Sequence, residues 1–274
     1  MSAAISSTRA RLRWSAGGSH CRQGRGISRV GRVGVGGFTL PSYSRVMNDR
    51  RRYDGLADWY DQEIRRLDVT ATALQSLTRL LGPGPGRCLD LGCGTGIAIP
   101  HLVKSGWTVI GVDISADQLR VAREQTGDLA ADLLEADATQ LPFPSASFDA
   151  VASMFTHTDF DDPERAFAEV YRVLRPGGTF VYVGTHPCFV TPYVERKPGG
   201  DLVLHAGYRL RGWTNSGPGF GQGIRPRVGV NHQTLADFLN TILKTGLLFK
   251  DLEEPGKEDY PILLSIAAER LPNP

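Results

Sequence analysis

The sequence predicts an α/β fold in which helices cover both faces of a doubly wound, mostly parallel sheet. Three observations predict it. Short apolar or β-branched runs alternate with helical segments over most of the chain. One such run, ending at Leu91, leads into three alternating glycines and then into a helix-compatible segment. The next run, Thr108–Asp113, ends in a carboxylate, and the carboxyl ends of parallel strands are where such sheets bind nucleosides.

Glycine spacing distinguishes the first loop from a dinucleotide site. Residues 89–96 read LDLGCGTG, so that Gly92, Gly94 and Gly96 follow the pattern G-x-G-x-G. The loop that cradles a dinucleotide pyrophosphate reads G-x-G-x-x-G instead, which disfavours a dinucleotide-dependent reductase. With Asp90 before them, these glycines resemble the first motif of the class I S-adenosylmethionine-dependent methyltransferases. Taken alone, the octapeptide is also compatible with an ordinary glycine-rich turn.

The acid that ends the second run lies at the distance expected of a ribose-binding residue. Asp113 follows Gly96 by about seventeen residues, close to the spacing of such an acid in a βαβ unit. An ionised carboxylate accepts protons from both ribose hydroxyls. Acids also end strands as helix N-caps, but Ser115 is available to cap the helix predicted from residue 116 to 125. We therefore predict ribose binding at Asp113.

Later segments extend the resemblance over residues 87–184. A third run ends at Asp137 and Ala138, and the segments Leu-Pro-Phe, Ser-Phe-Asp and Leu-Arg-Pro-Gly-Gly-Thr follow in the family's order. The chain resembles the small-molecule members, including methyltransferase family 11 and the ubiquinone–menaquinone biosynthesis methyltransferases. In that family the third acid meets the adenine amino group, and the small residue after it leaves room for the ring.

The resemblance implies a Rossmann-like sheet of seven strands that ends in a hairpin, with a lid inserted after the fifth strand. It implies S-adenosylmethionine as the cofactor and a small-molecule acceptor, with the methylated atom (oxygen, nitrogen or carbon) left open. The cofactor-binding residues that it implies are Asp90, Gly92, Gly94, Gly96, Asp113, Ile114, Asp137, Ala138, Ser153 and Tyr60. The alternative is a non-catalytic cofactor-binding subunit, which the intact motif residues disfavour.

Two segments flank the predicted sheet within a methyltransferase domain of residues 47–274. Residues 47–82 predict a helical cap, since apolar side chains recur at three- and four-residue steps. In the family such helices close over the cofactor, which implies contacts at Tyr60 and Tyr53, with packing against the sheet as the alternative for Tyr60 and Trp59. The connection 186–231 is much longer than the ~2–6 residues that a compact link needs. Its aromatic residues argue against disorder and predict an acceptor lid.

The predicted lid has two further features. Short strands are predicted within it at residues 201–204 and 208–210. Its arginines, Arg225 among them, suit either an anionic acceptor or a solvated face.

Histidines are the candidates for a general base, because their ordinary pKa lies near neutrality. His157 follows the fourth strand and is the first candidate, His232 precedes the next helix and is the second, and His186 is the third. Packing or hydrogen bonding is the simpler role for each. The acids Asp159, Asp161 and Asp162 stand beside His157, but Asp162 followed by proline is a helix-start signal, so no metal site is predicted.

Charge is distributed unevenly along the chain. Residues 1–46 hold eight arginines and no Asp, Glu or Lys, whereas 23 basic residues face 29 acidic ones in residues 47–274, a net charge of −6. The first segment is predicted to be disordered. Three interpretations of this segment are open: a transit peptide, a nucleic-acid-binding arm, or sequence upstream of a natural start at Met47. We favour the third. The net negative charge of residues 47–274 disfavours a nucleic-acid partner.

The sequence argues against a membrane-spanning protein and against a cysteine-based zinc or redox site. No run approaches the ~18 apolar residues that span a bilayer, so no membrane partner is predicted. The four cysteines form neither a C-x-x-C pair nor a zinc-like cluster, which favours a reducing cytoplasm. The oligomeric state is left open.

Overall fold

The computed structural model describes residues 52–129, 131–221 and 223–272. The predictions made for residues 1–46 and for a start at Met47 lie outside these residues.

Seven helices and eleven strands are described. The helices are α1 (Ala57–Arg66), α2 (Asp68–Leu81), α3 (Ile99–Lys104), α4 (Ala116–Thr126), α5 (Pro163–Val173), α6 (Arg225–Val228) and α7 (Leu235–Leu243). The strands are β1 (Arg87–Leu91), β2 (Thr108–Asp113), β3 (Ala131–Glu135), β4 (Phe148–Met154), β5 (Leu174–Thr185), β6 (Val194–Arg196), β7 (Leu202–Leu204), β8 (Gly212–Thr214), β9 (Val230–His232), β10 (Leu247–Glu253) and β11 (Leu263–Arg270).

Seven strands form one sheet in the order β10-β11-β5-β4-β1-β2-β3. The five from β1 to β5 pair in parallel, while β11 runs antiparallel to both β5 and β10. The predicted doubly wound, mostly parallel sheet of seven strands with a final hairpin is therefore confirmed. The strand order reverses between β1 and β4, and such a switch point is where open α/β sheets bind ligands.

Helices cover both faces of the sheet. Successive residues of a strand point to opposite sides, so one strand contributes side chains to two cores. In β5, Phe180 and Tyr182 belong to one core with α5 and α7, whereas Val181 and Val183 belong to the other core with α2 and α3. The strands carry apolar residues on both faces for this reason, as expected of a parallel sheet. In the described ranges no helix is both long and apolar enough to span a bilayer.

Three helix starts carry the side-chain caps that helix N-termini favour. Ser115 Oγ accepts the backbone N–H of Gln118 at the start of α4. Asp162 caps α5 with Pro163 in the first turn, and Thr234 caps α7. The capping roles predicted for Ser115 and Asp162 are confirmed, so that Asp113 is left for another purpose.

The connection between β5 and α7 contains short paired strands. Strand β7 pairs antiparallel with β6, and β8 pairs antiparallel with β9. The strand predicted at residues 201–204 is confirmed as β7. The strand predicted at 208–210 is wrong, since residues 206–209 form a turn and the chain becomes extended only from Gly212. Trp59 of α1 lies against this connection, with the Arg227 guanidinium 4.0 Å from its ring centre.

Gly96 allows the loop after β1 to approach α4 closely. Its φ is +77°, and a Cβ atom there would lie 3.2 Å from Ala122 Cβ. We expect Gly96→Ala to lower the free energy of unfolding by about 2–5 kcal/mol, since a left-handed non-glycine residue costs ~1–2 kcal/mol and overpacking ~1–3 kcal/mol. Denaturant titration measures the change.

Gly127, at the end of α4, supplies the control for this substitution. Its φ is also positive, but a Cβ there would meet no atom within 4 Å. Gly127→Ala should therefore cost only ~1–2 kcal/mol. Equal losses in the two variants would show that contact with α4 contributes nothing.

Candidate functional site

A cleft opens at the carboxyl ends of β1, β2 and β4, beside the switch point, and encloses about 880 Å³ of space when the part open to solvent is included. The predicted cofactor residues that line it are Gly92, Gly94, Asp113, Ile114, Asp137, Ala138 and Tyr60. Asp90 lies in a small recess that shares Tyr60, Gly92 and Gly94 with the cleft. Most of the predicted set is thus brought together.

The glycine-rich loop forms the floor of the cleft. All three glycines have positive φ values. Gly92 passes so close to Thr156 that a Cβ atom would lie 2.6 Å from its methyl carbon. The backbone N–H of Gly94 donates to Asp113 Oδ2 at 2.9 Å. Gly96 instead faces α4 and does not line the cleft.

Asp90 is buried, at 1% exposure, and its Oδ2 has no hydrogen-bond partner among the described residues. Burial and then the charge of Asp113 raise the pKa of Asp90 to about 7. Thr95, in the same recess, has a buried hydroxyl that likewise lacks a described partner. A buried carboxylate in this state is stabilised by a cation that donates hydrogen bonds. The recess therefore suits an ammonium group.

Asp113 is held in place by the backbone. Its Oδ1 accepts the N–H of Ser115 and its Oδ2 that of Gly94, each at 2.9 Å. Burial raises the pKa of Asp113 to about 6, although these two hydrogen bonds oppose the rise. A carboxylate has about four acceptor positions, so Asp113 retains capacity for the two hydroxyls of a ribose.

Asp137 and Ala138 lie on the β3 side of the cleft. Asp137 Oδ1 accepts both the backbone N–H and the hydroxyl of Thr139, each at 2.8 Å. These hydrogen bonds fix the turn after β3 and hold the carboxylate at the cleft wall. Ala138 and Thr139 follow it along the same wall, where their small side chains leave room for a flat ring.

Gln118 also lines the cleft, although the sequence analysis did not predict it. It is 2% exposed, and neither its amide nitrogen nor its amide oxygen has a partner in the described part of the chain. A glutamine in the first turn of an amphipathic helix has no distinguishing pattern. The available signal was its position three residues after the cap Ser115, which turns it back toward the loop after β1.

Ser153 lies behind the cleft. It is fully buried, its hydroxyl donates to the Leu91 carbonyl at 3.0 Å, and it shares a 2.6 Å hydrogen bond with Thr156. It does not line the cleft. These contacts tie the end of β4 to the end of β1, so Ser153 shapes the floor beneath the ligand.

The candidate histidines are all buried and lie away from this cleft. His157 Nδ1 is hydrogen-bonded to the Tyr182 hydroxyl, and its ring packs on Phe238 with centroids 4.7 Å apart. Burial lowers the pKa of His157 to about 3. His232 Nε2 donates to the Tyr208 carbonyl at 2.9 Å, and burial lowers its pKa too. Both imidazoles are therefore neutral near pH 7, and both line a second cavity.

The third candidate, His186, is held by two hydrogen bonds. Its Nδ1 accepts the N–H of Cys188 at 3.1 Å, and its Nε2 contacts Glu254 at 2.9 Å. Since Nδ1 accepts, the proton of the neutral ring lies on Nε2, and Nε2 donates to the carboxylate. Both ring nitrogens are thus occupied.

Tyr53, Asp159 and Arg225, which are far apart in the sequence, meet beside the cleft. Arg225 of α6 donates from Nη1 to Asp159 at 3.0 Å, and the Tyr53 hydroxyl donates to the same carboxylate at 3.2 Å. The rings of Tyr53 and Tyr60 meet edge to face, 5.0 Å apart. Burial raises the pKa of both tyrosines, so both remain neutral. Within the described ranges no group of three or more His, Cys, Asp and Glu residues suits a metal ion.

Comparison with known proteins agrees with this geometry. A family model described as a methyltransferase domain matches residues 89–182. A demethylmenaquinone methyltransferase of Renibacterium salmoninarum is 34% identical over 157 residues, which cover 53% of this chain and 65% of the relative. A protein of the same name from a Mycobacterium species is 34% identical over 166 residues, covering 56% of this chain and 70% of the relative.

A solved structure has a similar fold. The S-adenosylmethionine-dependent methyltransferase from Mesorhizobium loti is 25% identical, with a TM-score of 0.60 over 76% of this chain and 100% of that one. The chain spans slightly less than two thirds of the Renibacterium relative.

The fold is that of an α/β protein with a cleft at its switch point, the place where such sheets bind nucleoside-containing ligands. The chain belongs to the class I S-adenosylmethionine-dependent methyltransferases, and to their small-molecule members. S-adenosylmethionine is the cofactor of this family.

The buried Asp90 carboxyl makes stability dependent on pH. Its folded-state pKa is about 7, whereas an aspartate in an unfolded chain titrates near 3.9. Between these values the folded state holds a proton that the unfolded state has released. Buried histidines with lowered pKa values act in the opposite direction over the same range, so the contribution of Asp90 is measured as the difference between the parent and Asp90→Asn. We expect the free energy of unfolding of the ligand-free parent, relative to that of this variant, to fall by roughly 2–4 kcal/mol as the pH rises from 4 to 8. Denaturant titrations across this range measure it.

Asp90→Asn is the control for this pH dependence, because an amide does not titrate. The variant should lack the contribution of Asp90 and keep those of Asp113, whose pKa is also raised, and of the buried histidines, whose pKa values are lowered. A variant whose pH profile runs parallel to that of the parent would remove Asp90 as a source of the pH dependence.

Gln118 should weaken the ligand-free protein, since each buried polar group without a partner costs ~1–3 kcal/mol. We expect Gln118→Leu to raise the free energy of unfolding by about 1–3 kcal/mol in the absence of ligand. Gln125→Leu is the matched control, because Gln125 is exposed on the same helix and should change stability by less than ~0.5 kcal/mol. Destabilisation by Gln118→Leu would contradict the assignment.

Proposed function

We propose that this protein transfers the methyl group of S-adenosylmethionine to a carbon of a small aromatic acceptor of the quinol type. One observation carries the proposal. The cleft at the switch point and its adjoining recess present three carboxylates, Asp90, Asp113 and Asp137, at the carboxyl ends of three neighbouring strands, and one of them has a buried oxygen without a described partner. This arrangement supports one carboxylate for each of the three hydrogen-bonding parts of the cofactor.

The residues fit the cofactor part by part. Asp113 would accept the ribose hydroxyls, and Ile114 beside it would pack on the nucleoside. Asp137 would meet the adenine amino group, with Ala138 against the ring. Asp90, in its recess, would stabilise the ammonium of the methionine part, with the amide of Gln118 as a further hydrogen-bonding group.

When bound, S-adenosylmethionine supplies an electrophilic methyl group on a sulfonium. The protein's part is to align the acceptor with the methyl group, because orientation alone can supply several kcal/mol of barrier reduction. Tyr60, Tyr53 and Phe155 form walls of the cleft and would keep water from the reacting atoms. Residues 47–82, as a cap, and 186–231, as a lid, would enclose them.

His157 and His232 are proposed to act on the acceptor side as neutral hydrogen-bonding groups. Their lowered pKa values suit uncharged imidazoles. They line the same cavity as Arg225 and do not line the cofactor cleft. Proton removal from the acceptor is a weaker role for His157, since its Nδ1 is already bonded to Tyr182.

The class of acceptor is inferred from the relatives. Two of them are named for demethylmenaquinone, and a further relative from Methylobacterium nodulans, 37% identical, for ubiquinone and menaquinone biosynthesis. A quinol ring activates its carbons toward an electrophile. The net charge of −6 over residues 47–274 speaks against a nucleic-acid acceptor. The free thiols of the described cysteines suit a reducing cytoplasm, where we place the reaction. Nothing in the comparisons supports a non-catalytic subunit.

Calorimetry with S-adenosylmethionine tests the cofactor assignment. We expect the parent protein to bind it and Asp113→Ala to bind it about 5- to 150-fold more weakly, the ~1–3 kcal/mol of a lost charge-assisted hydrogen bond. Asp132→Ala, in which an exposed carboxylate of β3 is removed, should bind like the parent. Absence of binding by the folded parent protein would refute the proposed function.

A further inference from the structure

Helix α6 belongs to the 186–231 connection, and its Arg225 reaches a carboxylate in the wall of the cofactor cleft. Arg225 Nη1 donates to Asp159 at 3.0 Å, and Asp159, in the loop between β4 and α5, lines the cleft. Both side chains are 22% exposed, so water screens this ion pair only in part. Arg225 itself does not line the cleft. Its effect on a bound cofactor is therefore passed on by its neighbours.

The Asp159 carboxylate depends on Arg225 for its charge partner. Among the described residues, Arg225 is the cation that pairs with it. Arg52 is also close, but it donates to the main-chain carbonyl of Asp159, at 3.1 Å, and pairs with the carboxylate of Asp161. A partly buried carboxylate that loses its cation takes up a proton or moves toward water. Removal of the Arg225 charge should therefore neutralise or displace Asp159.

Asp159 in turn holds a tyrosine that precedes the first helix. The Tyr53 hydroxyl donates to the Asp159 carboxylate at 3.2 Å. Tyr53 lies in the turn before α1, outside the helix itself. Its ring meets that of Tyr60 edge to face, with 5.0 Å between the centroids, an arrangement that aromatic pairs prefer. Tyr53 therefore supports one side of the Tyr60 ring.

Tyr60 is the member of this series of contacts that faces the cofactor site most fully. It lines both the cleft and the recess that holds Asp90. A Cβ atom added at Gly94 would lie 4.0 Å from Tyr60 Cε1, so the ring stands against the glycine-rich loop. The position of this ring therefore determines the shape of both spaces.

We propose that Arg225 is a positioning residue for the methyl donor. It acts on Tyr60 through Asp159 and Tyr53, and so links the 186–231 connection to the cofactor cleft. The inference rests on the proposed function and deepens it. While the ion pair is intact, Tyr60 is held against the glycine-rich loop. When the ion pair is lost, this support is lost with it, and the donor binds more weakly.

A double-mutant cycle tests the proposal, with calorimetry of S-adenosylmethionine binding as the readout. Arg225→Met removes the charge and keeps an unbranched side chain. It should weaken binding about 2- to 30-fold, the range by which residues that do not touch a ligand modulate coupling to its site. In Tyr60→Leu protein, which lacks the ring to be positioned, Arg225→Met should change the affinity by less than about twofold.

Arg227→Met is the matched control. Arg227 lies on the same helix, but its guanidinium contacts the Trp59 ring, 4.0 Å from the ring centre, and not Asp159. This variant should bind S-adenosylmethionine within about twofold of the parent. Arg225→Lys should bind it more tightly than Arg225→Met does, because lysine retains a charge that pairs with Asp159.

Tyr53→Phe interrupts the same series of contacts without removing a charge, and it tests the proposal even if Arg225→Met does not fold. The substitution deletes the hydroxyl that donates to Asp159 and keeps the ring. It should weaken S-adenosylmethionine binding at least about twofold, the effect expected of one lost hydrogen bond.

The outcomes separate this inference from the proposed function. Equal weakening by Arg225→Met in the parent and in Tyr60→Leu protein would overturn the inference, and so would parent-like binding by Arg225→Met and Tyr53→Phe. An equal loss in Arg227→Met would also overturn it, because it would indicate a general loosening of α6. In each of these cases the parent still binds S-adenosylmethionine. If the folded parent binds none, the proposed function itself fails.

Discussion

Strand β1 pairs in parallel with β2 on one side and with β4 on the other, and the rest of the site depends on this arrangement. The chain leaves β1 toward β2 and later returns to β4, so the loops after these strands turn away from each other. No connection closes the sheet edge between them. The glycine-rich loop, Asp113 and Phe155 can line one cleft only because their strands end at this edge.

Polar groups that are costly to bury accumulate beside that edge. Asp90, Thr95 and Gln118 each have a buried polar atom without a partner in the described structure, and the pKa values of Asp90 and Asp113 are both raised. A core built only for stability would place apolar side chains here. Their concentration at one location agrees with a site arranged for a ligand that supplies the missing partners.

Residues near one another in sequence were the predictable part of the site. The glycine-rich loop, Asp113 and Asp137 each lie at or shortly after the end of a strand, so strand ends and spacing were sufficient to predict where they lie. Arg225 and Asp159 meet only through the tertiary fold, 66 residues apart, and the sequence offered Arg225 only as one of several scattered arginines. Gln118 has no pattern of its own, and its role follows from the direction in which α4 leaves Ser115.

The short strands and the surroundings of single histidines were harder to predict from the sequence, for a related reason. The strand at 212–214 exists because residues 230–232 pair with it, and no local pattern in three residues marks such pairing. The approximate position of His157 could be read from the end of β4, but not its burial against Tyr182 and Phe238. Pairing and burial both depend on chain segments distant in sequence.

The unpartnered groups also affect how the protein persists in a cell. A ligand that binds only the folded state adds RT ln(1 + [L]/Kd) to its stability. Here it would also relieve the unfavourable burial of Asp90 and Gln118. Resistance to heat and to proteolysis would therefore follow the supply of the methyl donor, so that a cell depleted of the donor would lose the enzyme itself as well as its turnover.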